Sequence, residues 1–166
     1  ELGLPIDQCD IPLVSVIVRS MDRPTLARAL DSLALQTYPN IEVVLVNAKG
    51  GLHKQQPDWC GNYPLRLVNQ NGEPLSRPKA ANTGLAACQG NYISFLDDDD
   101  AIDPDHIANL IEGIQSVSMC SIAYTGVRGK DEYDENKPFV EFKTAEVDFA
   151  KLLLGNVIPI HAILFP

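Results

Sequence analysis

Branched apolar residues run almost without interruption through PLVSVIV (12–18) and again through IEVVLVN (41–47). Runs of this length and type predict strands buried on both faces. Between them the spacing changes. Leu26, Ala29, Leu30, Leu33 and Ala34 fall at i, i+3, i+4, i+7 and i+8, the apolar stripe of an amphipathic helix. Pro24 suits its first turn, and Tyr38-Pro39 ends it. Strand, helix and strand make a βαβ unit, whose two strands pair in parallel.

The same alternation continues. Residues 48–63 hold two adjacent glycines and little periodicity, and are expected to be a loop. LRLVNQ (65–70) predicts a third strand. SRPKAANTGLAACQG predicts a second helix, with Ala81, Gly84, Leu85 and Cys88 on its inner face and Gly90 as its stop. NYISFL predicts a fourth strand, and Asp103-Pro104 the cap and first residue of a third helix reaching about Ser116. MCSIAYTGV predicts a fifth strand. A strand near 138–143, a helix near 145–154 and a strand at 157–165 complete the pattern. The expected architecture is an α/β fold: a mostly parallel central sheet flanked by helices, in one domain spanning 1–166. Such sheets bind ligands at the carboxyl ends of their strands. Polar residues gather at three of these ends: RSMDR, NAKGG and DDDD.

Charge narrows the function. Lys plus Arg is 13 and Asp plus Glu is 22, a net charge of -9. That balance disfavours nucleic acid and anionic membrane surfaces as partners. No apolar run approaches the roughly 18 residues of a membrane span. Cys9, Cys60, Cys88 and Cys120 form no CxxC pair, and apolar neighbours mark Cys88 and Cys120 as small buried thiols. A reducing, cytoplasmic setting follows as the expectation. The absence of an initiator Met and the apolar run at the end suggest a piece of a longer protein.

The acids themselves pose the main question. Asp97 to Asp105 contains six of them, four consecutive after a buried strand. Clustered carboxylates repel one another, and a divalent cation relieves that repulsion. Mg²⁺ or Mn²⁺ takes hard oxygen ligands, commonly one or two carboxylates with substrate phosphates. The twelve-residue EF-hand loop with its Gly and Glu is absent. So are GxxxxGK[ST] and GxGxxG. Arg77 and Lys79 open the second helix, where a bound anion would offset their opposition to the helix dipole. They could equally be two solvated cations. Asp22 is read as a helix cap or a base-contacting acid, His106 as a surface or packing residue, and His161 as a residue that could face the site.

PLVSVIVRSMDRPTLARALDSLALQTYPNIEVVLVNAKGG together with RPKAANTGLAACQGNYISFLDDDDAIDPDHI resembles the nucleotide-sugar glycosyltransferases of family 2, whose fold is called GT-A. The match covers about 12–125, the nucleotide-sugar-binding part, and PIHAILF resembles a later segment of the acceptor-side part, 126–166. The resemblance implies transfer of a sugar from a nucleoside-diphosphate sugar, UDP-sugars favoured, to a saccharide or lipid-linked acceptor with inversion. It implies that Arg19, Ser20 and Asp22 border base and ribose. Asn47 takes the position of the family's uracil-binding Asp, and Arg77 and Lys79 lie near base or diphosphate. The DxD motif falls on Asp97-Asp98-Asp99, with Asp99 and Asp97 as metal ligands and Asp97 or Asp98 toward ribose or metal-bound water. The family's catalytic carboxylate base, often in an E-D pair, has no counterpart here; neither Glu141 nor Glu146 matches it. A nucleotidyltransferase would carry a Gly-rich basic loop near its first strand, which RSMDRP lacks. A phospho-accepting receiver needs acids that VRSMDRP and LVNQNG do not supply. A binding-only, degenerate transferase stays open.

Overall fold

The computed structural model describes residues 11–116, 122–129, 140–142, 155 and 158–166. Cys9, Cys120, Glu146, the acidic stretch at 130–137 and the helix expected near 145–154 lie outside them. Nine strands and three α-helices are described: β1 (Val14–Ser20), α1 (Leu26–Ala34), β2 (Ile41–Asn47), β3 (Trp59–Cys60), β4 (Tyr63–Val68), α2 (Arg77–Ala87), β5 (Tyr92–Asp97), α3 (His106–Gln115), β6 (Ala123–Tyr124), β7 (Val127–Gly129), β8 (Val140–Phe142) and β9 (Ile163–Phe165).

Seven strands form one sheet in the order β3-β4-β2-β1-β5-β9-β6, and β7 pairs with β8 separately. The central four, β4-β2-β1-β5, are parallel, as the two buried runs predicted. The edges are not: β3 is antiparallel to β4, and β9 is antiparallel to both β5 and β6. The sheet is therefore mixed around a parallel core.

This order explains where the helices lie. From β1 the chain moves outward through β2 to β4, then returns through α2 to the other side of β1. Right-handed crossovers in opposite directions place their helices on opposite faces. The buried side chains divide accordingly. Val16, Val18, Leu45 and Leu96 pack with α1 and α3 through Leu33, Ile107 and Leu110. Ile17, Val44, Val46 and Phe95 pack against Ala80 of α2. A period of two within one strand thus serves two cores. The reversal of strand order makes a crevice at the carboxyl ends of β1 and β5, where open α/β sheets bind ligands. The four aspartates begin there.

Several local expectations change. The loop at 48–63 contains β3, too short to show a period. Leu85 is exposed, and the inner face of α2 is Ala80 and Gly84. A Cβ on Gly84 would stand 2.4 Å from Ile17 Cγ2, so the small residue lets α2 rest on β1. Gly90 does not stop α2 through a left-handed conformation; the helix ends at Ala87. Gly90 instead passes so near β1 that a Cβ would lie 2.7 Å from Ser15 N. The expected last strand is a 3-10 turn (Ile160–Ala162) followed by the short β9.

Asp103 does not cap α3. The helix begins at His106, and Ile107 N donates to Gln36 Oε1 at 3.1 Å. Gln36 Nε2 also donates to Asp103 O at 2.7 Å, and Thr37 N to Pro104 O at 2.8 Å. The QTYP segment therefore holds the chain downstream of the aspartates against the end of α1. Tyr63 Oη completes that anchor, its one hydroxyl proton shared between Gln36 O and Tyr38 O at 2.6 and 2.7 Å. The Asp103 carboxylate turns instead to Arg128, 2.5 Å away.

Candidate active site

The site is built at the register position where β1 and β5 end together. Arg19 and Asp97 are paired Cα partners, so in this parallel ladder their side chains stand on the same face. Arg19 Nε donates to Asp97 Oδ1 at 2.7 Å and Nη2 to Oδ2 at 2.9 Å. The guanidinium also lies 5.6 Å from the centroid of the Phe95 ring. Arg19 is 8% exposed. It fixes the Asp97 carboxylate from below and does not line an open surface.

After Asp97 the chain turns, with Asp100 N donating to Asp97 O at 3.1 Å. Such a turn separates four consecutive side chains. Asp98 goes inward: only 1% exposed, it accepts from Met21 N at 2.6 Å and from Arg23 Nη1 at 3.2 Å. It pins the loop after β1 to the end of β5. Asp97, Asp99 and Asp100 share the outer side, each offering a carboxylate oxygen within 4.8 Å of the others. Asp100 Oδ2 accepts from His161 Nδ1 at 3.1 Å, which brings the segment before β9 onto the site. That hydrogen bond is the largest influence on both groups. It raises the His161 ring above its ordinary value and lowers the Asp100 carboxyl below its own.

The structure also corrects the expectation that this charge is unrelieved without a cation. Arg19 and Arg23 form ion pairs with Asp97, Asp98 and Asp99, and Arg28 Nη2 donates to Asp99 O at 2.6 Å. Three hard oxygen donors, partly open and from one turn, still match the ligand preference of Mg²⁺ or Mn²⁺.

The second wall comes from the ends of β1 and β2. Ser20 and Asn47 are register partners and both are fully buried. Asn47 Nδ2 donates to Gly51 O at 2.8 Å and to Asn69 O and Gln70 O at 3.2 Å, while Oδ1 accepts from Gly50 N at 3.2 Å. Its amide is committed to holding two loops together. Gly50 adopts φ 82, and a Cβ there would meet Pro74 N at 2.5 Å. This close approach sets the segment before α2 against the end of β2. Arg77 and Lys79 follow, exposed at the amino end of α2 on the same end of the sheet.

Asp22 adopts φ 58, a left-handed conformation uncommon outside glycine. Its N–H donates to Ser20 Oγ at 2.9 Å, and Lys49 Nζ donates to Oδ2 at 3.1 Å. Burial raises its carboxyl, but the Lys49 hydrogen bond and the Lys49 and Lys54 charges outweigh that and carry it below the ordinary value. Asp22 is therefore a tie between the β1 and β2 loops, and α1 begins later, at Leu26. Beneath it lies His53, 1% exposed. His53 Nδ1 donates to Lys54 O at 2.8 Å, which leaves Nε2 to accept the Ser20 hydroxyl at 2.9 Å. His53 had no signal in the sequence: it sits in an aperiodic loop, and its partner is 33 residues away. Arg23 and Arg28 could have been suspected, since the fold predicts that the loop after β1 and the start of α1 face the end of β5.

Comparison with known proteins agrees with this geometry. The family model "Glycosyl transferase family 2" matches residues 15–161. Glycosyltransferase GlyA of Streptococcus pneumoniae is 37% identical over 94 residues, 54% of this chain and 13% of that protein. The Bacillus subtilis glycosyltransferase EpsJ is 35% identical over 108 residues, 61% of this chain and 30% of that protein. The chain thus spans less than a third of these relatives' length. Among solved structures, the mannosyltransferase PcManGT of Pyrobaculum calidifontis, in complex with GDP-Man and Mn²⁺, superposes with a TM-score of 0.54 at 23% identity, over 67% of this chain and 34% of that one. TarS residues 1–349 of S. aureus gives 0.52 at 24% identity, over 63% and 32%. These likenesses establish the GT-A fold.

Proposed function

This chain belongs to glycosyl transferase family 2, and from that premise we propose that it binds the donor of a sugar transfer, a nucleoside-diphosphate sugar, with a divalent cation at its aspartates. The observation that carries this reading is the Asp97, Asp99 and Asp100 cluster at the crevice between β1 and β5. A bound Mg²⁺ or Mn²⁺ would neutralise charge developing on the departing nucleoside diphosphate. Asp99 and Asp97 are the proposed ligands, and Asp100 joins them by position. Arg19 keeps the Asp97 carboxylate in one orientation, so the site is formed before the donor arrives. Asp98 holds the β1 loop in place beside the base and ribose. Arg77 and Lys79, at the amino end of α2, supply positive charge for the diphosphate.

The proposed reaction is a single inverting displacement. An acceptor hydroxyl oxygen attacks the anomeric carbon as the bond from that carbon to the diphosphate oxygen breaks. The hydroxyl proton passes to a carboxylate base from a later part of the family's chain. A saccharide or a lipid-linked sugar is the proposed acceptor class. The nucleobase is proposed as uracil, with guanine as the competing choice because PcManGT is in complex with GDP-Man. No described helix is long and apolar enough to cross a membrane.

Titration calorimetry of UDP and GDP with and without Mn²⁺ tests the reading. UDP binding that requires Mn²⁺ is expected. Absence of heat from every nucleoside diphosphate in Mn²⁺ would rule the donor site out.

A further inference from the structure

The two arginines facing the aspartates are held in opposite ways. Arg19 is nearly buried, engages Asp97 through two nitrogens and packs on Phe95. Arg23 has a side chain 48% exposed and uses one nitrogen, Nη1, for both of its carboxylates. That nitrogen stands 3.2 Å from Asp98 Oδ1 and 2.5 Å from Asp99 Oδ2. A guanidinium fork with one nitrogen engaged is poorly used, and half its surface is already in water. Arg23 therefore places positive charge on Asp99, the carboxylate best exposed to receive a metal, and its contact with the buried Asp98 is the longer of the two.

Resting on the donor-site reading above, we propose that Arg23 is a built-in counter-cation: it neutralises Asp99 until a divalent cation displaces it, and it then turns to the donor diphosphate. A divalent cation on Asp99 would place two like charges against one carboxylate, so the ion and the guanidinium exclude each other. Asp98 remains paired with Met21 N when Arg23 leaves, so the loop keeps its place. The freed fork matches two phosphate oxygens better than it matches single oxygens of two carboxylates. Arg19 and Arg28 stay on the aspartate turn and preserve its shape. Cation and donor would in this way bind with positive cooperativity, since each removes the competitor of the other.

The experiment measures Mn²⁺ binding alone, by electron paramagnetic resonance of the free ion, and UDP binding in saturating Mn²⁺. It uses the wild type, Arg23→Gln and Arg23→Lys. Removing a unit positive charge in contact with Asp99 is expected to tighten Mn²⁺ binding about tenfold. Arg23→Gln is expected to weaken UDP binding several-fold in the same protein. Arg23→Lys keeps the charge and is expected to hold Mn²⁺ affinity near the wild type. Opposite shifts for ion and nucleotide support the proposal, because a merely damaged loop would weaken both. Unchanged Mn²⁺ affinity in Arg23→Gln, or shifts of the same sign, overturns it while leaving the donor site intact. A wild type that binds neither Mn²⁺ nor any nucleoside diphosphate removes the donor site and this proposal together.

Discussion

Arg19 and Asp97 are opposite partners in the β1–β5 ladder and are joined by two hydrogen bonds of 2.7 and 2.9 Å. The pair closes the floor of the crevice at the point where strand order reverses. Arg19→Met leaves a largely enclosed carboxylate without its cation. A stability loss of about 3 kcal/mol in urea denaturation is expected. Arg19→Lys retains the charge without the fork and is expected to lose less.

Neighbouring aspartates are expected to respond differently. Asp98 is buried and holds Met21 N and Arg23, so Asp98→Ala removes both bonds and costs about 2 kcal/mol. Asp99 is half exposed, and Asp99→Ala should change stability by no more than about 0.5 kcal/mol. Under the proposed function, Asp99→Ala also removes the Mn²⁺ dependence of nucleotide binding. Equal destabilisation by both would contradict the division of the run by the turn.

Asn47→Asp restores the residue usual at this position in the resembled family, yet it should destabilise this chain. Asn47 Nδ2 donates to three backbone carbonyls. A carboxylate there faces those oxygens with no proton to give, and a loss of about 2 kcal/mol is expected. The loss should shrink as pH falls through the range where the new acid protonates. Thermal unfolding between pH 4 and 8 measures both effects.

The His161–Asp100 pair predicts a stability window in the presence of a chelator. The His161 pKa is raised in the fold, so its contribution is complete below the unfolded value of 6.5 and is lost as pH rises through the folded value. The Asp100 pKa is lowered, so its contribution is present above 3.8 and is lost as pH falls through the folded value. The pair contributes most between these limits. His106, whose pKa burial lowers, acts in the opposite direction and costs stability below 6.5. The difference in urea midpoint between wild type and His161→Gln isolates the pair. It should be largest near pH 5 to 6 and decline toward pH 8; a flat difference would contradict it.

Much of this arrangement was legible in the residue pattern. The branched runs gave β1 and β2, the 3.6 period gave α1, and a run of acids after an apolar strand gave the place of the site. What escaped was held by distant partners. Gln36 caps α3 across 71 residues, and Arg23 meets Asp99 across 76. His53 reaches Ser20 from a loop without period. Leu85 fits the apolar stripe of α2 yet lies exposed, because Gly84 brings the helix so near Ile17 that the contact face narrows to the smallest residues. Local periodicity reports which face is apolar, whereas these contacts depend on how close two elements come.

By itself, the sequence determined the alternation of strands and helices, the parallel core and the end of the sheet where carboxylates collect, because apolar periods are set over a few residues and a helix linking two buried strands leaves them parallel. Only the tertiary structure decided what each aspartate does. The turn from Asp97 to Asp100 directs Asp98 inward to the β1 loop and leaves Asp97, Asp99 and Asp100 together outside. Arg19, Arg23, Arg28 and His161 then meet that turn from other elements. Four identical residues acquire different partners because side-chain direction follows the turn, and compensating charge comes from wherever the fold brings it.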